Sequence, residues 1–227
     1  MVGQTSMPHP IQPTFLGGRR VMFAMAVELE YGQAQRELFA PLFTGVGPVE
    51  AGIVVGAALA RLRAIGELPE LLVSLGSAGS RTLAQAAVFQ VSSVSYRDMN
   101  ASVLGFPRGE TPFLGLPASL PLPCPLPDLL LATLATGASV VSGAAYDAVE
   151  ADMVDMETFA VVRAAMRFGV PVIGLRGVSD GVSELAELKD WTAALHLVDE
   201  GLAQAVRALG ELLAGGLDPS SLSAAAY

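Results

Sequence analysis

Asp155-Met-Glu-Thr-Phe159, followed one helix-length later by Val170-Pro-Val-Ile-Gly-Leu-Arg-Gly-Val-Ser-Asp180, is the stretch from which the fold is read. A helix beginning near Glu157 would end at Gly169, a natural C-cap, and the apolar run at 170–176 reads as a buried strand. That strand ends in a cation, Arg176, with a carboxylate, Asp180, just beyond it. In an α/β sheet the residues past the carboxyl ends of strands line the ligand crevice. Glu157, Arg176 and Asp180 are therefore expected at one pocket.

Working outward, Val21-Met-Phe-Ala-Met-Ala-Val27 reads as a second buried strand, with Glu28 and Glu30 immediately after it. Gly45 and Gly47 form a turn, and Pro48 suits the first turn of a helix over residues 48–64. Residues 71–75 form a third strand that runs into Gly76-Ser-Ala-Gly79, and residues 88–96 a fourth. Residues 139–142 are a further short strand, and residues 192–214 a terminal amphipathic helix. Seven prolines between Pro107 and Pro127 exclude a helix or a central strand there and predict a surface loop. Alternating strands and helices favour a largely parallel sheet in one domain, residues 21–216. Residues 1–20 read as a flexible lead-in and residues 217–227 as a frayed tail.

Composition narrows the function. Of 227 residues 52% are apolar, which suits a well-buried core. No apolar run reaches the ~18 residues of a membrane span, and residues 1–20 lack the apolar region of a signal peptide, so a cytoplasmic protein is expected. One cysteine, Cys124, excludes a disulfide framework, and with only His9 and His196 neither a metal nor a cofactor is expected. A net charge of -9 disfavours nucleic acid and anionic membranes as partners and leaves a small neutral or zwitterionic substrate.

Three constellations could carry chemistry. The glycine turns do not match a dinucleotide fingerprint, because Glu50 stands where the third glycine belongs, and Lys189, the single lysine, is not in a phosphate loop. Ser77, Asp180 and His196 follow the chain order of an esterase triad, but Leu75-Gly-Ser-Ala-Gly79 lacks the first glycine of a nucleophile elbow, and His196 sits within a helical pattern. Glu28 and Asp180 each follow an apolar strand. Two acids so placed can divide hydrolysis, one protonating the leaving group and one deprotonating water, although strand ends also carry plain solvated acids.

Ala24-Met-Ala-Val-Glu28, Thr44-Gly-Val-Gly47, Gly76-Ser-Ala-Gly79, Val141-Ser-Gly143, Val154-Asp-Met-Glu157 and Arg176-Gly-Val-Ser-Asp180 together resemble, in order and spacing, the 5′-methylthioadenosine/S-adenosylhomocysteine nucleosidases of the purine nucleoside phosphorylase-like superfamily. The resemblance covers almost the whole chain. It implies an α/β domain with a mixed, twisted central sheet flanked by helices. It also implies hydrolysis of the N-glycosidic bond of 5′-methylthioadenosine and S-adenosylhomocysteine to adenine and a thioribose.

By the same resemblance Asp180 would protonate N7 of adenine with Ser179 holding it, and Glu28 would activate water beside Arg176 and the loop Ser77-Ala78-Gly79. Glu157 would bind the ribose hydroxyls with Met156 alongside; Tyr146 would stack on adenine and Asp147 would offer its backbone. Met25, Phe106 and Phe113 would line the 5′-alkylthio pocket, and the proline-rich loop would reach toward a partner in a homodimer. Glu157, at a helix start, is expected to be held ionised by backbone N–H groups, and Asp180 to sit in drier surroundings. The sequence departs from the family pattern at Ala26, Val27, Ala144 and Asp155, which leaves substrate preference open. A phosphorylase needs arginines around a phosphate, and the carboxylate-bearing turn after the first strand favours water instead. The alternatives are a nucleosidase or phosphorylase for another purine nucleoside, such as a futalosine-type substrate, and a non-catalytic nucleoside-binding protein.

Overall fold

The computed structural model describes residues 12–181 and 187–222. The strands are β1 (Thr14–Leu16), β2 (Arg19–Met25), β3 (Leu42–Phe43), β4 (Leu71–Gly79), β5 (Val88–Tyr96), β6 (Ser119–Pro121), β7 (Leu131–Thr136), β8 (Met153–Asp155) and β9 (Val172–Asp180). The helices are α1 (Gln33–Arg36), α2 (Pro48–Ala64), α3 (Thr158–Met166), α4 (Leu188–Thr192) and α5 (Leu195–Ala214). This is the expected mixed α/β sheet flanked by helices.

β2, β4 and β9 run parallel side by side, and β5 joins β9 antiparallel. β5 then pairs β7 in parallel, β7 pairs β8 in parallel, and β8 returns to β4 through Gly79 opposite Val154. The path β4–β9–β5–β7–β8–β4 is a closed circuit, so the sheet curls into a small barrel with β1, β2 and β3 extending from it. Register shifts at Ala78/Gly79 and Val91/Ser93 supply bends of the kind closure requires.

Both faces of the sheet are covered, which is why its strands read as unbroken apolar runs. Side chains alternate across β2 and β4. Met22, Ala24 and Leu72 face a core shared with α2 and α3, while Val21, Phe23, Leu71, Val73 and Leu75 face one closed by α5. α5 presents Val198, Leu202, Ala205, Val206, Leu209 and Leu213 along one helical face to that second core.

Several expectations are redrawn. Residues 14–20 belong to the sheet: β1 and β2 form a hairpin in which Leu16 pairs Arg19. Gly17 (φ 55°) and Gly18 (φ 82°) make its two-residue turn, where left-handed backbone is needed twice. Residues 1–11 and 223–227, parts of the expected lead-in and tail, lie outside the described residues. No strand forms at 139–142; the strand lies earlier, at β7, and β8 was not expected. The proline-rich stretch is mostly loop, but Ser119–Pro121 adds an edge strand to β5, a place in a sheet where proline fits. The terminal helix, α5, starts at Leu195 and ends at Ala214 as expected, and a separate short helix, α4, precedes it.

Candidate active site

A cavity of about 430 Å³ lies where β2, β4, β8 and β9 end. Glu30, Ser77, Ala78, Gly79, Val154, Asp155, Met156, Glu157, Asp180 and Trp191 are among the residues that line it.

The acid at the head of this cavity is Glu30. After β2 the chain makes one 3-10 turn over Glu28–Glu30. With three residues per turn, positions two apart face different ways. Glu28 points to solvent, its side chain 75% exposed and 3.3 Å from Arg36, and lies outside the cavity lining. Glu30 is buried, and its Oε1 accepts bonds from Ser77 N at 2.7 Å and Ser77 Oγ at 2.6 Å. The expectation from the sequence placed Glu28 at the pocket; the structure places Glu30 on its lining. Desolvation pushes the Glu30 carboxyl above the usual range, opposed by the Ser77 bonds and the Arg176 charge.

The segment carrying Glu30 is anchored from the far end of the chain. Asp199 of α5 accepts Ala34 N at 2.9 Å and Gln35 N at 3.2 Å, satisfying the free amides that start α1. Gln35 Nε2 in turn donates to the Glu30 carbonyl at 3.1 Å.

Asp180 reaches the cavity from the end of β9. The register shift pairs Ala78 with Val178 but Gly79 with Asp180, leaving Ser179 as the extra residue of a bulge that re-aims Asp180 into the cavity. Ser179 Oγ donates to Asp180 Oδ1 at 2.5 Å, and Gln85 Nε2 donates to the Ser179 carbonyl at 2.7 Å. Burial raises the Asp180 carboxyl, so it keeps its proton to higher pH than a solvated aspartate.

Glu157 lines the same cavity. It is the N-cap of α3, yet its side chain does not cap that helix. Its Oε1 accepts Gly47 N, at the start of α2, at 2.8 Å. The expected stabilisation of its charge is outweighed: burial and then the nearby Asp155 charge push its pKa up to about 7.

Arg176 and Asp155 lie beneath the site. Arg176 Nη2 donates to Asp155 Oδ2 at 3.0 Å, to Ser74 Oγ at 3.0 Å and to Thr158 Oγ1 at 2.6 Å, all buried. Thr136 Oγ1 donates to Asp155 Oδ1 at 2.5 Å. The pull of Arg176 and these donors outweighs burial and keeps Asp155 below its usual range. A void of about 10 Å³ beside Arg176 is lined by Glu30, Ser77 and Glu157 as well, a polar space the size of one water molecule.

Other expected residues stand elsewhere. Tyr146 is buried with its Oη unpartnered among the described residues, and it touches the site through Gly79, where a side chain's Cβ would come within 2.4 Å of that oxygen. Asp147 is exposed and pairs with Arg81 at 2.7 Å. Neither lines the cavity. Met25 is in the core, and Phe106 and Phe113 pack edge-to-face away from the cavity, with Phe113 92% exposed. Val27, Val46, Val140 and Leu188 supply the apolar wall instead. His196 is exposed on α5, and Ser77 is engaged by Glu30 and Trp191, so no esterase triad assembles.

Trp191 and Arg97 were not anticipated. Trp191 is the chain's one tryptophan, and that rarity was the only signal. Arg97 donates to the carbonyls of Asp155 at 3.3 Å and Ser139 and has no carboxylate within ion-pair distance among the described residues. None of the described residues form a cluster of His, Cys, Asp and Glu fit for a metal, and none of their helices is long and apolar enough to cross a membrane.

A sequence profile of the phosphorylase superfamily matches residues 28–213. Among solved structures, a 5′-methylthioadenosine/S-adenosylhomocysteine nucleosidase from Colwellia psychrerythraea 34H, in complex with adenine, is similar with a TM-score of 0.72 and 17% identity, covering 88% of this chain and 98% of that one. The nucleosidase of the same description from Neisseria meningitidis, in complex with methylthio-immucillin-A, gives 0.65 at 18% identity, with 82% and 98% covered. A futalosine hydrolase of Helicobacter pylori gives 0.59 at 17%, with 85% and 94% covered. No curated protein matches significantly.

Proposed function

The chain belongs to the phosphorylase superfamily, and from that premise we propose that it is an N-glycosidase that hydrolyses 5′-methylthioadenosine and S-adenosylhomocysteine, releasing adenine and a thioribose. The observation that carries this reading is the placement of Glu30, buried, and Asp180, half-buried, on the lining of one cavity together with Glu157.

Departure of a purine leaves an oxocarbenium-like sugar, and its positive charge is stabilised by nearby carboxylates. Asp180, whose partial burial raises its carboxyl above the ordinary aspartate range, would donate a proton to N7 of the base, with Ser179 fixing the carboxyl. Glu30 would take a proton from a water held in the small void between it, Glu157 and Arg176. This moves the base's role from Glu28 to the acid two residues on. Glu157 and the Met156 backbone would hold the ribose, while Ser77, Ala78 and Gly79 would frame the base. Val27, Val46, Val140 and Leu188 would enclose an alkylthio group.

Hydrolysis is favoured over phosphorolysis by charge. Arg97 is the one cation lining the cavity among the described residues, and Arg176 is committed to Asp155. A phosphate dianion would face Glu30, Glu157 and Asp180 with little compensation. A second reading, the same cleavage on a futalosine-type nucleoside, draws on Arg97, because a cation on the wall would suit a 5′ substituent carrying negative charge. A cytoplasmic homodimer acting in methionine salvage belongs to the first reading.

The test is adenine release from 5′-methylthioadenosine by the purified protein, with and without phosphate. Release independent of phosphate is expected. A requirement for phosphate would make the protein a phosphorylase, and no release from this nucleoside, with turnover of another purine nucleoside, would favour the second reading.

A further inference from the structure

Trp191 is carried to the cavity by α4, a helix of five residues whose geometry is set by its own cap. The Glu187 carboxylate accepts the Asp190 amide, and Asp190 Oδ2 accepts Glu187 N at 2.9 Å. So placed, the indole Nε1 lies 2.9 Å from Ser77 Oγ. An indole N–H only donates, so Ser77 Oγ must accept this bond. A serine hydroxyl has one proton, and here it is directed to Glu30 Oε1 at 2.6 Å. Ser77 N donates to the same oxygen at 2.7 Å. One oxygen of Glu30 thus carries both bonds, leaving Oε2 for whatever occupies the adjoining polar void. Gly76 forms the wall behind: a Cβ there would meet both Glu30 oxygens at 3.2 Å.

We propose that Trp191 is a positioning residue for the proton-accepting carboxylate, acting through Ser77: its indole N–H directs the serine proton onto Glu30 and favours the ionised, correctly turned carboxylate. The inference rests on the assignment of Glu30 as the base and deepens it. Other charged groups around Glu30 are Arg176 and Asp155, Glu157 from the start of α3, Asp180 on the same cavity lining, and Glu187, the N-cap of α4, with Lys189, 3.1 Å apart. Within this set the indole reaches Glu30 through the serine hydroxyl alone, so its influence is separable.

Because the chain has one tryptophan, ¹⁵N labelling of indole gives one assignable side-chain resonance. Its position is expected to titrate with Glu30 in the whole protein. The titration should vanish in Glu30→Gln and collapse in Ser77→Ala, while Glu157→Gln shifts its midpoint without removing it. A resonance that titrates identically in wild type and Glu30→Gln would overturn the proposal. In kinetics, Trp191→Phe keeps the ring but loses the donor. Hydrogen bonds to a carboxylate favour its charged form, so this change should move the acid limb of kcat/KM upward by about half a pH unit. Ser77→Ala should move it further, and the double variant no further than Ser77→Ala. Additive shifts would mean that Trp191 acts by packing, which also overturns the proposal. An intact indole titration in a protein that cleaves no nucleoside would leave the relay standing and remove only the catalytic reading.

Discussion

Arg176 and Asp155 form an ion pair beneath the cavity, Nη2 to Oδ2 at 3.0 Å, with side chains only 4% and 2% exposed. The pair ties β9 to the end of β8, and Thr136 and Thr158 satisfy the remaining carboxylate lone pairs. Removing one member of such a pair strands the other's charge, at a cost of about 3–5 kcal/mol. Asp155→Ala is expected to lose stability of that order in urea denaturation. Replacing both residues by apolar ones, Asp155→Leu with Arg176→Met, should recover part of the loss. Equal losses in the single and double variants would mean the pair's burial is not what matters.

Glu28→Gln and Glu30→Gln separate the two candidate bases. Loss of a general base typically costs 10²–10⁴ in rate, and that is expected of kcat for Glu30→Gln. The surface change Glu28→Gln should leave steady-state kinetics within roughly twofold, since exposed ion pairs such as that with Arg36 contribute little. The opposite pattern would restore the role to Glu28.

Glu157 links stability to pH with an unusual sign. Its pKa is about 7 in the folded protein, against the ordinary 4.5. Between these values the folded state binds more protons than the unfolded one, so this group's contribution falls as pH rises from about 4.5 to 7. Glu157→Gln should therefore stabilise the protein at pH 8 by roughly 1–3 kcal/mol and change it little near pH 4. The difference in urea midpoint between the two proteins, measured across that window, checks it. A Glu157→Gln variant that is instead less stable than wild type at pH 8, with the deficit shrinking toward acid, would show that Glu157 is charged and paired in the native state.

Tyr146 buries a hydroxyl without a partner among the described residues. An unsatisfied buried polar group costs about 1–3 kcal/mol, so Tyr146→Phe should raise thermal stability. Gly79→Ala should do the reverse, because the added Cβ would meet that hydroxyl at 2.4 Å, and Tyr146→Phe should partly relieve it. The next obstacle, Asp180 Oδ2 at 3.0 Å, limits the rescue. Melting curves of the two single variants and the double suffice. A lower melting temperature in Tyr146→Phe would show that the hydroxyl does find a partner.

Local signals were enough for much of the scaffold. The turn Gly47-Pro48 opens α2 at the expected residue, and apolar runs marked β2, β4 and β9 as strands covered on both faces. Such features depend on residues within a few positions of one another. β8 could not be read this way: Met153–Asp155 is three residues long, and it is a strand only because β7 and β4 flank it.

By itself the sequence determined the fold class, the strands β2, β4, β5 and β9 with the helices α2 and α3, and that Ser77, Glu157 and Asp180 would meet at strand ends. Only the tertiary structure decided which of Glu28 and Glu30 enters the cavity. The two follow the same strand, and their facing depends on a 3-10 turn anchored by Asp199, 165 residues from Ala34. It also closed the barrel through Gly79 and Val154, brought Trp191 onto Ser77, and raised Glu157 by burying it near Asp155. Burial, the partner of a hydrogen bond and the field at a carboxylate are properties of neighbours in space, and the chain's order does not contain them.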